Sequence, residues 1–450
     1  MPISREDFVD YIAQKIRNNE LSIFLGAGAS IPLGIPSWKD LMAPLAKILH
    51  LDISKQYDYY SLAQYYANQY GLSDLKRHIG EAIFSFKVDN QTLELLLKLS
   101  AQTIWTTNFD SSVENILRKN LVRYQVVTND ANLANVSSAD ATTIYKLNGD
   151  CHDLDNIVIT MDDWESYEQT HPTMITFLKK ELVSNTFLFY GYSFRDSLIK
   201  SALSNIRRFV GDACNMHFSI QKIEDDEDFQ YRVNDLEVRY RVKTLLVKSY
   251  DEVPDILGEI VQKVRKNNVF ISGRLGDIDP NIENECCEFC RELSIRLLDA
   301  GYNLCTGMGR KIGYFVTGPA IQHLLEKGYK NIDRRLLIRP FDDTMSRGKR
   351  TIYRNRLIEG NNAVVFIYGH SEKYERSPGM WEEYQIAKEK GKIIIPVGST
   401  GFESHFIWKD VRANITAYPY LETVIEDLGN VKAPQKIATI VLKILELVNS

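Results

Sequence analysis

Four short polar motifs, each placed after an apolar run, carry the chemistry-bearing residues of the first half of the chain. FLGAGAS (Phe24–Ser30) follows Ser22–Leu25, and TTNFD (Thr106–Asp110) follows Thr103–Thr106. KLNGD (Lys146–Asp150) ends the run Thr143–Leu147, and GYSFRD (Gly191–Asp196) follows Thr186–Tyr190. Gly26 and Gly28 permit a tight turn and let backbone N–H groups approach a diphosphate. A glycine pair alone is a weak signal, since many turns carry one. In open α/β sheets, however, the carboxyl ends of the strands face the ligand crevice, so four such motifs can converge on one site. Asp110 also fits as the cap of a helix over Ser111–Lys119. The second half has its own anion-binding pattern: SGRLG (Ser272–Gly276) and TGMGRKIG (Thr306–Gly313), each at a strand end. Residues 333–356 hold seven Arg and one Lys against three Asp, a net 8 − 3 = +5 in an acidic chain. Arg347, Arg350 and Arg354 share one helical face suited to phosphate forks. Gly379 precedes the acids Glu382 and Glu383.

The elements that must position these residues read as strands alternating with helices, the mark of a parallel, doubly wound sheet. In the first half the strands are the runs above plus Met216–Ile220 and Thr244–Val247. Helices fit at Trp38–His50 (capped by Ser37), Tyr59–Tyr70, Ser73–Phe86 and Gln91–Leu99. A helix over Val253–Lys266 runs into a second start at VFISGR. Helix Asn281–Ala300, strands Tyr302–Thr306, Leu336–Arg339, Ala363–Tyr368 and Ile393–Val397, and helix Trp381–Lys390 follow. The boundary falls at 250–267, giving domains 1–260 and 267–450. With 450 residues, either half can bury a full core. Lys plus Arg is 54 and Asp plus Glu is 59, a charge of −5, which argues against a basic nucleic-acid coat. No apolar run reaches membrane-spanning length, and the N-terminus lacks the apolar segment of a signal peptide. Six cysteines, isolated at Cys151, Cys214 and Cys305 and clustered at Cys286, Cys287 and Cys290 in one predicted helix, make neither a disulfide framework nor a paired zinc motif, so the expectation is a reducing cytoplasm and no metal.

GAGAS with GIPSW (Gly34–Trp38), TTNFD and GYSFRD together resemble the sirtuin-like NAD-binding fold over residues 20–200. The resemblance implies that Gly26, Ala27, Gly28 and Ser30 hold the diphosphate. It places Asn108 and Asp110 at the nicotinamide ribose, and Gly191 with Ser193 near the adenosine. The implied chemistry is cleavage of the nicotinamide–ribose bond through an oxocarbenium-like ribose, with nicotinamide already a cationic leaving group. Three departures are visible. The zinc cysteines of the deacetylases are missing, and Ser37–Trp38 stands where Phe-Arg is usual. Asn148 occupies the position of the family's general-base histidine, and an asparagine cannot accept a proton near pH 7. Either His152 takes over that role or the chain has an impaired base.

The second half is similar to the SLOG family of Rossmann-like nucleotide sensors over about residues 267–400. The phosphoribohydrolase motif of its enzymatic cousins is degraded here to SPGMWEEY, which favours sensing over hydrolysis. The candidate contacts are Gly273, Arg274, Leu275, Gly307, Gly309, Arg339, Arg350, Arg354, Lys373, Glu382 and Glu383. A sirtuin-like domain followed by a SLOG domain resembles the NADase effectors of Thoeris anti-phage defence. The fold class expected is therefore α/β, with two Rossmann-like doubly wound parallel-sheet domains. The resemblance further implies NAD+ as substrate and a cyclic ADP-ribose isomer, made by a TIR-domain protein, as activator. It implies a homotetramer, with neither nucleic acid nor membrane as partner. An NAD-dependent protein deacylase and a catalytically silent nucleotide-binding scaffold are the alternatives. On this reading Arg354→Ala weakens the response to the signal and leaves the fold intact.

Overall fold

The computed structural model describes residues 2–53, 58–83, 90–99, 101–134, 136, 141–194, 197–277, 280–329, 332–342, 344–370 and 376–449. The chain forms two compact units, residues 1–264 and 265–450. The first is built on seven strands: β1 (Leu21–Leu25), β2 (Thr103–Thr106), β3 (Tyr124–Val127), β4 (Thr142–Lys146), β5 (Thr186–Tyr190), β6 (His217–Lys222) and β7 (Val242–Val247). They pair in parallel in the order β3-β4-β2-β1-β5-β6-β7.

The strand sequences explain this arrangement. LSIFL and TFLFY are buried along their whole length, because helices cover both faces of a parallel sheet. Alternate side chains divide between two apolar layers. Ile23, Leu25, Ile104 and Ile144 pack with Phe8, Ile12 and Ile256 on one face. Phe24, Trp105, Tyr145 and Phe189 pack with Met174 and Leu178 on the other. Polar caps start the helices between them. Ser37 accepts from Asp40 N before Trp38–Ile48, and Asn90 accepts from Leu93 N before Gln91–Lys98. Between β1 and β2, the helices Trp38–Ile48, Tyr59–Tyr70 and Leu72–Ile83 build a separate apolar cluster. It includes Phe109, Cys151 and Ile159 and so is anchored on the loops after β2 and β4.

The second unit has strands β8 (Asn268–Arg274), β9 (Asn303–Thr306), β10 (Leu336–Ile338), β11 (Ala363–Tyr368) and β12 (Ile393–Pro396), parallel in the order β10-β9-β8-β11-β12. Both sheets are doubly wound, as the alternation of runs implied. In each, the chain leaves its first strand toward one edge and later returns to the other side. The switch points therefore lie between β1 and β5 and between β8 and β11.

The edge strand β3 escaped the sequence reading. YQVV is short, only its last residue is buried, and its polar Gln125 donates to Thr143 Oγ1 on β4, so it lacks a continuous apolar run. Helix ends moved by a few residues: the expected Ser73–Phe86 is Leu72–Ile83, with residues 84–89 outside the described set.

Candidate active site

At the front switch point three glycines touch backbone to backbone. Gly28 N donates to Gly191 O at 2.9 Å, and Gly26 N donates to Tyr190 O at 3.0 Å. A Cβ on Gly26 would sit 2.4 Å from Gly191 O. One on Gly191, whose φ is +66°, would sit 2.2 Å from Ala29 N. No side chain fits, so the loops after β1 and β5 close against each other only as glycines. The close approach is already a reason for these glycines before any ligand is considered.

From this knot a chain of hydrogen bonds runs to the loop after β2. Asn108 Nδ2 donates to Gly26 O and to Ser30 Oγ, both at 3.0 Å. Ser30 Oγ donates to Asp110 Oδ2 at 2.8 Å, and Asp110 Oδ1 accepts from Ser112 N at 2.9 Å. The N-cap of the following helix, Ser112–Lys119, is Ser111 rather than Asp110, which lies one residue earlier and accepts from the first helical N–H while its other oxygen holds Ser30. Ala27, Ser30, Trp38, Asn108, Phe109 and Asp110 line one cleft. The structure therefore brings together four of the residues singled out after β1 and β2. Ser193 is exposed on the loop after β5, and Phe194 anchors that loop by packing 4.9 Å from Phe189. Arg195 and Asp196 of GYSFRD lie outside the described residues.

Behind the cleft lies an ionic cluster that sequence reasoning missed. Lys146 is 1% exposed, and its three ammonium protons face three acceptors. These are Glu114 Oε1 at 2.7 Å, Asp150 Oδ2 at 2.6 Å and Asp110 O at 2.7 Å. Burial works against the Lys146 charge, but Glu114 and Asp150 outweigh it and hold its pKa above the ordinary lysine value. Burial in turn raises the Glu114 carboxyl despite Lys146. One cation thus ties the end of β4 to the loop after β2, the 147–152 turn and the Ser112–Lys119 helix. The spacing of Lys146 and Asp150 on either side of LNG was the available signal.

Asn148 is buried, with its backbone O accepting from Val158 N at 2.9 Å. Its Nδ2 donates to Tyr60 OH at 3.4 Å. Tyr60 belongs to an aromatic column through Trp38 (5.3 Å) and Trp164 (5.1 Å), a site feature hidden in the aromatic-rich stretch before residue 70. His152 is exposed, its Nε2 3.0 Å from Ser111 Oγ, one residue beyond Asp110. Asp150, Cys151 and His152 bring ligand-type atoms within 4.8 Å of one another. Asp150 is already bound to the Lys146 ammonium, and that cation repels a second one.

At the carboxyl ends of β8 and β9, one strand over from the rear switch point, Gly309 packs on Gly273: an added Cβ would lie 1.9 Å from Gly273 O. Gly307 faces Phe341. Arg274 is exposed at the end of β8, and its carbonyl accepts from Gly369 N and His370 N. Leu275 is a core residue, so only its backbone can face a ligand. Arg339 is exposed at the end of β10, and Arg350 is half-buried.

Arg354 is already bound within the fold. Its Nη1 donates to Glu382 Oε2 at 2.7 Å and its Nε to Glu383 Oε1 at 3.3 Å, with the guanidinium 5.1 Å over the Phe341 ring. Glu383 also accepts from Ser272 Oγ at 2.6 Å. Burial raises the Glu383 carboxyl, opposed by Ser272 and Arg354. Removing Arg354 therefore strips a buried acid of its cation, contrary to the expectation that the fold is untouched. Lys373 lies outside the described residues. A second pairing went unnoticed in sequence: Arg376, between the rings of Trp381 and Phe406, donates to the fully buried Glu403 at 2.8 Å.

Comparison with known proteins agrees with the two-unit architecture. Residues 252–448 match the model of the Sir2- and TIR-associating SLOG family, and residues 102–241 match the SIR2-like domain model. An NAD(+) hydrolase ThsA from Acinetobacter baumannii is 29% identical over 475 residues, covering 98% of this chain and 98% of its own. One from Bacillus cereus is 29% identical over 433 residues, covering 92% and 90%. Defense-associated sirtuin 2 of Bacillus subtilis is 24% identical over 217 residues, 47% of this chain and 21% of its own. The chain thus carries a SIR2-like domain followed by a SLOG domain of the Sir2- and TIR-associating family, and over nearly its full length it is similar to the NAD(+) hydrolases named ThsA.

Proposed function

We propose that residues 1–260 hydrolyse NAD+ to ADP-ribose and nicotinamide, and that residues 267–450 bind a cyclic ADP-ribose isomer that licenses the cut. The observation that carries the first part is the bonded chain Gly26–Asn108–Ser30–Asp110 at the front switch point, of which Asn108, Ser30 and Asp110 line one cleft. Named relatives that span the whole chain are NAD(+) hydrolases, which supports the same reading. The glycine knot leaves the diphosphate a surface without side chains, with the Gly26 and Gly28 N–H groups themselves donated to Tyr190 O and Gly191 O. Asn108 and Asp110 sit beside it, where they meet the nicotinamide ribose. As the glycosidic bond breaks, its electron pair leaves with nicotinamide, neutralising the ring, and the positive charge moves to the ribose. The Asp110 carboxylate and the two acids around Lys146 favour that charge. Water then adds to the ribose carbon and gives up one proton.

Asn148 can orient that water but cannot take its proton. Because the leaving group departs without protonation, losing the base slows water capture and leaves bond cleavage available. His152, beside Ser111, is the candidate to accept the proton. In the rear unit, Gly273, Arg274, Gly307, Gly309, Arg339 and Arg350 form the proposed messenger site. The Arg354–Glu382–Glu383 cluster is the part that an incoming phosphate must rearrange. The family description, which couples SLOG with Sir2 and TIR, supports a messenger from a TIR-domain protein. A homotetramer acting in the cytoplasm completes the proposal; no described helix is long and apolar enough to cross a membrane.

The test is nicotinamide release from NAD+ with and without a cyclic ADP-ribose isomer. Messenger-dependent release that Asn108→Ala abolishes is the expected result. Asn148→His should raise the rate, by about 10²–10⁴-fold if a general base is restored in full. No gain from Asn148→His, together with loss in His152→Ala, would assign the base to His152. Acyl transfer to acyl-lysine peptide outpacing hydrolysis would support the deacylase reading. No turnover even in Asn148→His would leave a nucleotide-binding scaffold.

A further inference from the structure

The amino ends of the front strands, on the side of the sheet away from the glycine knot, hold a cavity of about 240 Å³. It is walled by Leu21 at the start of β1, Thr103 at the start of β2, and Phe177 and Glu181 on the helix Pro172–Ser184. Leu99 and Tyr145 complete its apolar side. The polar centre is Glu181. Its Oε1 accepts from Ser22 Oγ at 2.5 Å and from Thr103 Oγ1, and its Oε2 accepts from Trp105 Nε1 at 3.0 Å. Asn185 Nδ2 donates to Ser22 Oγ at 2.9 Å and so fixes the direction of the serine proton toward Glu181.

Every donor to this carboxylate is neutral. Among the described residues, no Lys, Arg or His lies within ion-pair distance of Glu181. Lys180 also lines the cavity, but at its exposed rim, with its Nζ 6.0 Å over the Phe177 ring and outside ion-pair distance of Glu181. A carboxylate has about four lone-pair sites, so the three donors leave one acceptor site, on Oε2, at a residue that lines the cavity. The buried glutamates among the described residues, Glu114, Glu383 and Glu403, each have a lysine or arginine. Burial, with Glu181 nearby, pushes the Tyr145 phenol up to about 12, so it stays a neutral hydroxyl. A half-buried carboxylate beside aromatic and aliphatic walls selects a cation that also has a flat apolar body.

The geometry points to a second ligand site here, for a small organic monocation of the amidinium or arylammonium class, held by Glu181 against the Leu99–Tyr145–Phe177 wall. It is independent of the NAD+ reading, because it shares no residue with the cleft at the carboxyl ends. One N–H of the cation meets the remaining acceptor site on Oε2, and its ring occupies the apolar side.

Benzamidinium is the probe, titrated into the full chain by calorimetry, with neutral benzamide as the shape-matched control. The expected result is saturable binding of benzamidinium and at least about tenfold weaker binding of benzamide, the value of one charge-assisted hydrogen bond. Glu181→Gln should remove that preference. Glu181→Gln also alters support for Ser22, Thr103 and Trp105, so a second variant fills the space instead. Ser184→Trp, at an exposed helix position on the cavity wall, should abolish binding while the melting temperature stays put. Equal binding of the two probes, binding unchanged by Ser184→Trp, or no saturable binding would each overturn the assignment. None of these outcomes bears on nicotinamide release.

Discussion

The two strand-end crevices of this chain share a backbone design and differ in how their charges are placed. In front, Gly191 lies on Gly26 and Gly28; at the rear, Gly309 lies on Gly273. The front knot joins the loops after β1 and β5 at the switch point, and the rear knot sets the loop after β9 against the end of β8, beside the switch between β8 and β11. The front crevice then presents neutral and acidic groups, Asn108, Ser30 and Asp110, with its one buried cation, Lys146, turned away into the scaffold. The rear crevice presents arginines, yet Arg354 is bound to Glu382 and Glu383 before any ligand arrives. On the proposed function, the contrast separates a site arranged in advance for a developing positive charge from one whose cation exchanges internal carboxylates for external phosphate. An exchange of that kind favours the bound arrangement over the resting one only through the difference between the two sets of contacts, which is the requirement for a signal.

The sharpest way to break the comparison is to disturb each knot alone. Gly191→Ala should reduce nicotinamide release to background while messenger binding by the rear unit persists. Gly309→Ala should do the reverse, losing messenger binding but keeping NAD+ binding, both by calorimetry. Loss of both functions in either variant would show that the knots are not separate devices. Next is Lys146→Met, which leaves Glu114 and Asp150 buried without a cation. It should cost the front unit about 3–5 kcal/mol in urea unfolding. A loss under 1 kcal/mol would mean that the cluster is not a structural pillar. Arg354→Ala should cost the rear unit less, about 2 kcal/mol, because the Arg354 side chain is 14% exposed and Ser272 still supports Glu383. It should also raise the messenger concentration needed for activation.

The smallest effect is a difference in pH response. His217, fully enclosed and accepting from Phe187 N, has its pKa driven down from 6.5 to about 3 by burial, with Arg241 adding to it. The unfolded chain takes up a proton there that the folded chain refuses. Front-unit stability should therefore fall by up to about 1.4 kcal/mol per pH unit as pH drops from 6.5 toward 3. Glu383 acts in the opposite sense. Its folded pKa lies above the ordinary 4.5, so the folded rear unit holds a proton that the unfolded chain releases. That contribution is present below 4.5 and is lost as pH rises through the folded value. His217→Asn and Glu383→Gln should flatten the respective slopes in unfolding monitored from pH 4 to 8. Unchanged slopes would remove these residues as the cause.

Much of this was legible in the sequence. The runs LSIFL, TFLFY and AVVFIY are continuous and apolar because parallel sheets covered on both faces demand it, and such runs stand out in any sequence. The glycine and polar motifs that end them mark the crevice, since parallel strands deliver their carboxyl ends to one side. Edge strand β3 escaped because half-exposed YQVV lacks that apolar continuity.

The sequence by itself determined the strand order of events: which runs are buried, which motifs sit at their ends, and that two such units follow one another. Only the tertiary structure decided who pairs with whom. Lys146 meets Glu114, Arg354 meets Glu383, Arg376 meets Glu403, and Glu181 meets no cation among the described residues. Periodicity records whether a side chain faces inward, through the free energy of burying it. The partner of a buried charge is set by which distant segment the completed fold brings within a few ångströms, and that distance has no signature in local sequence.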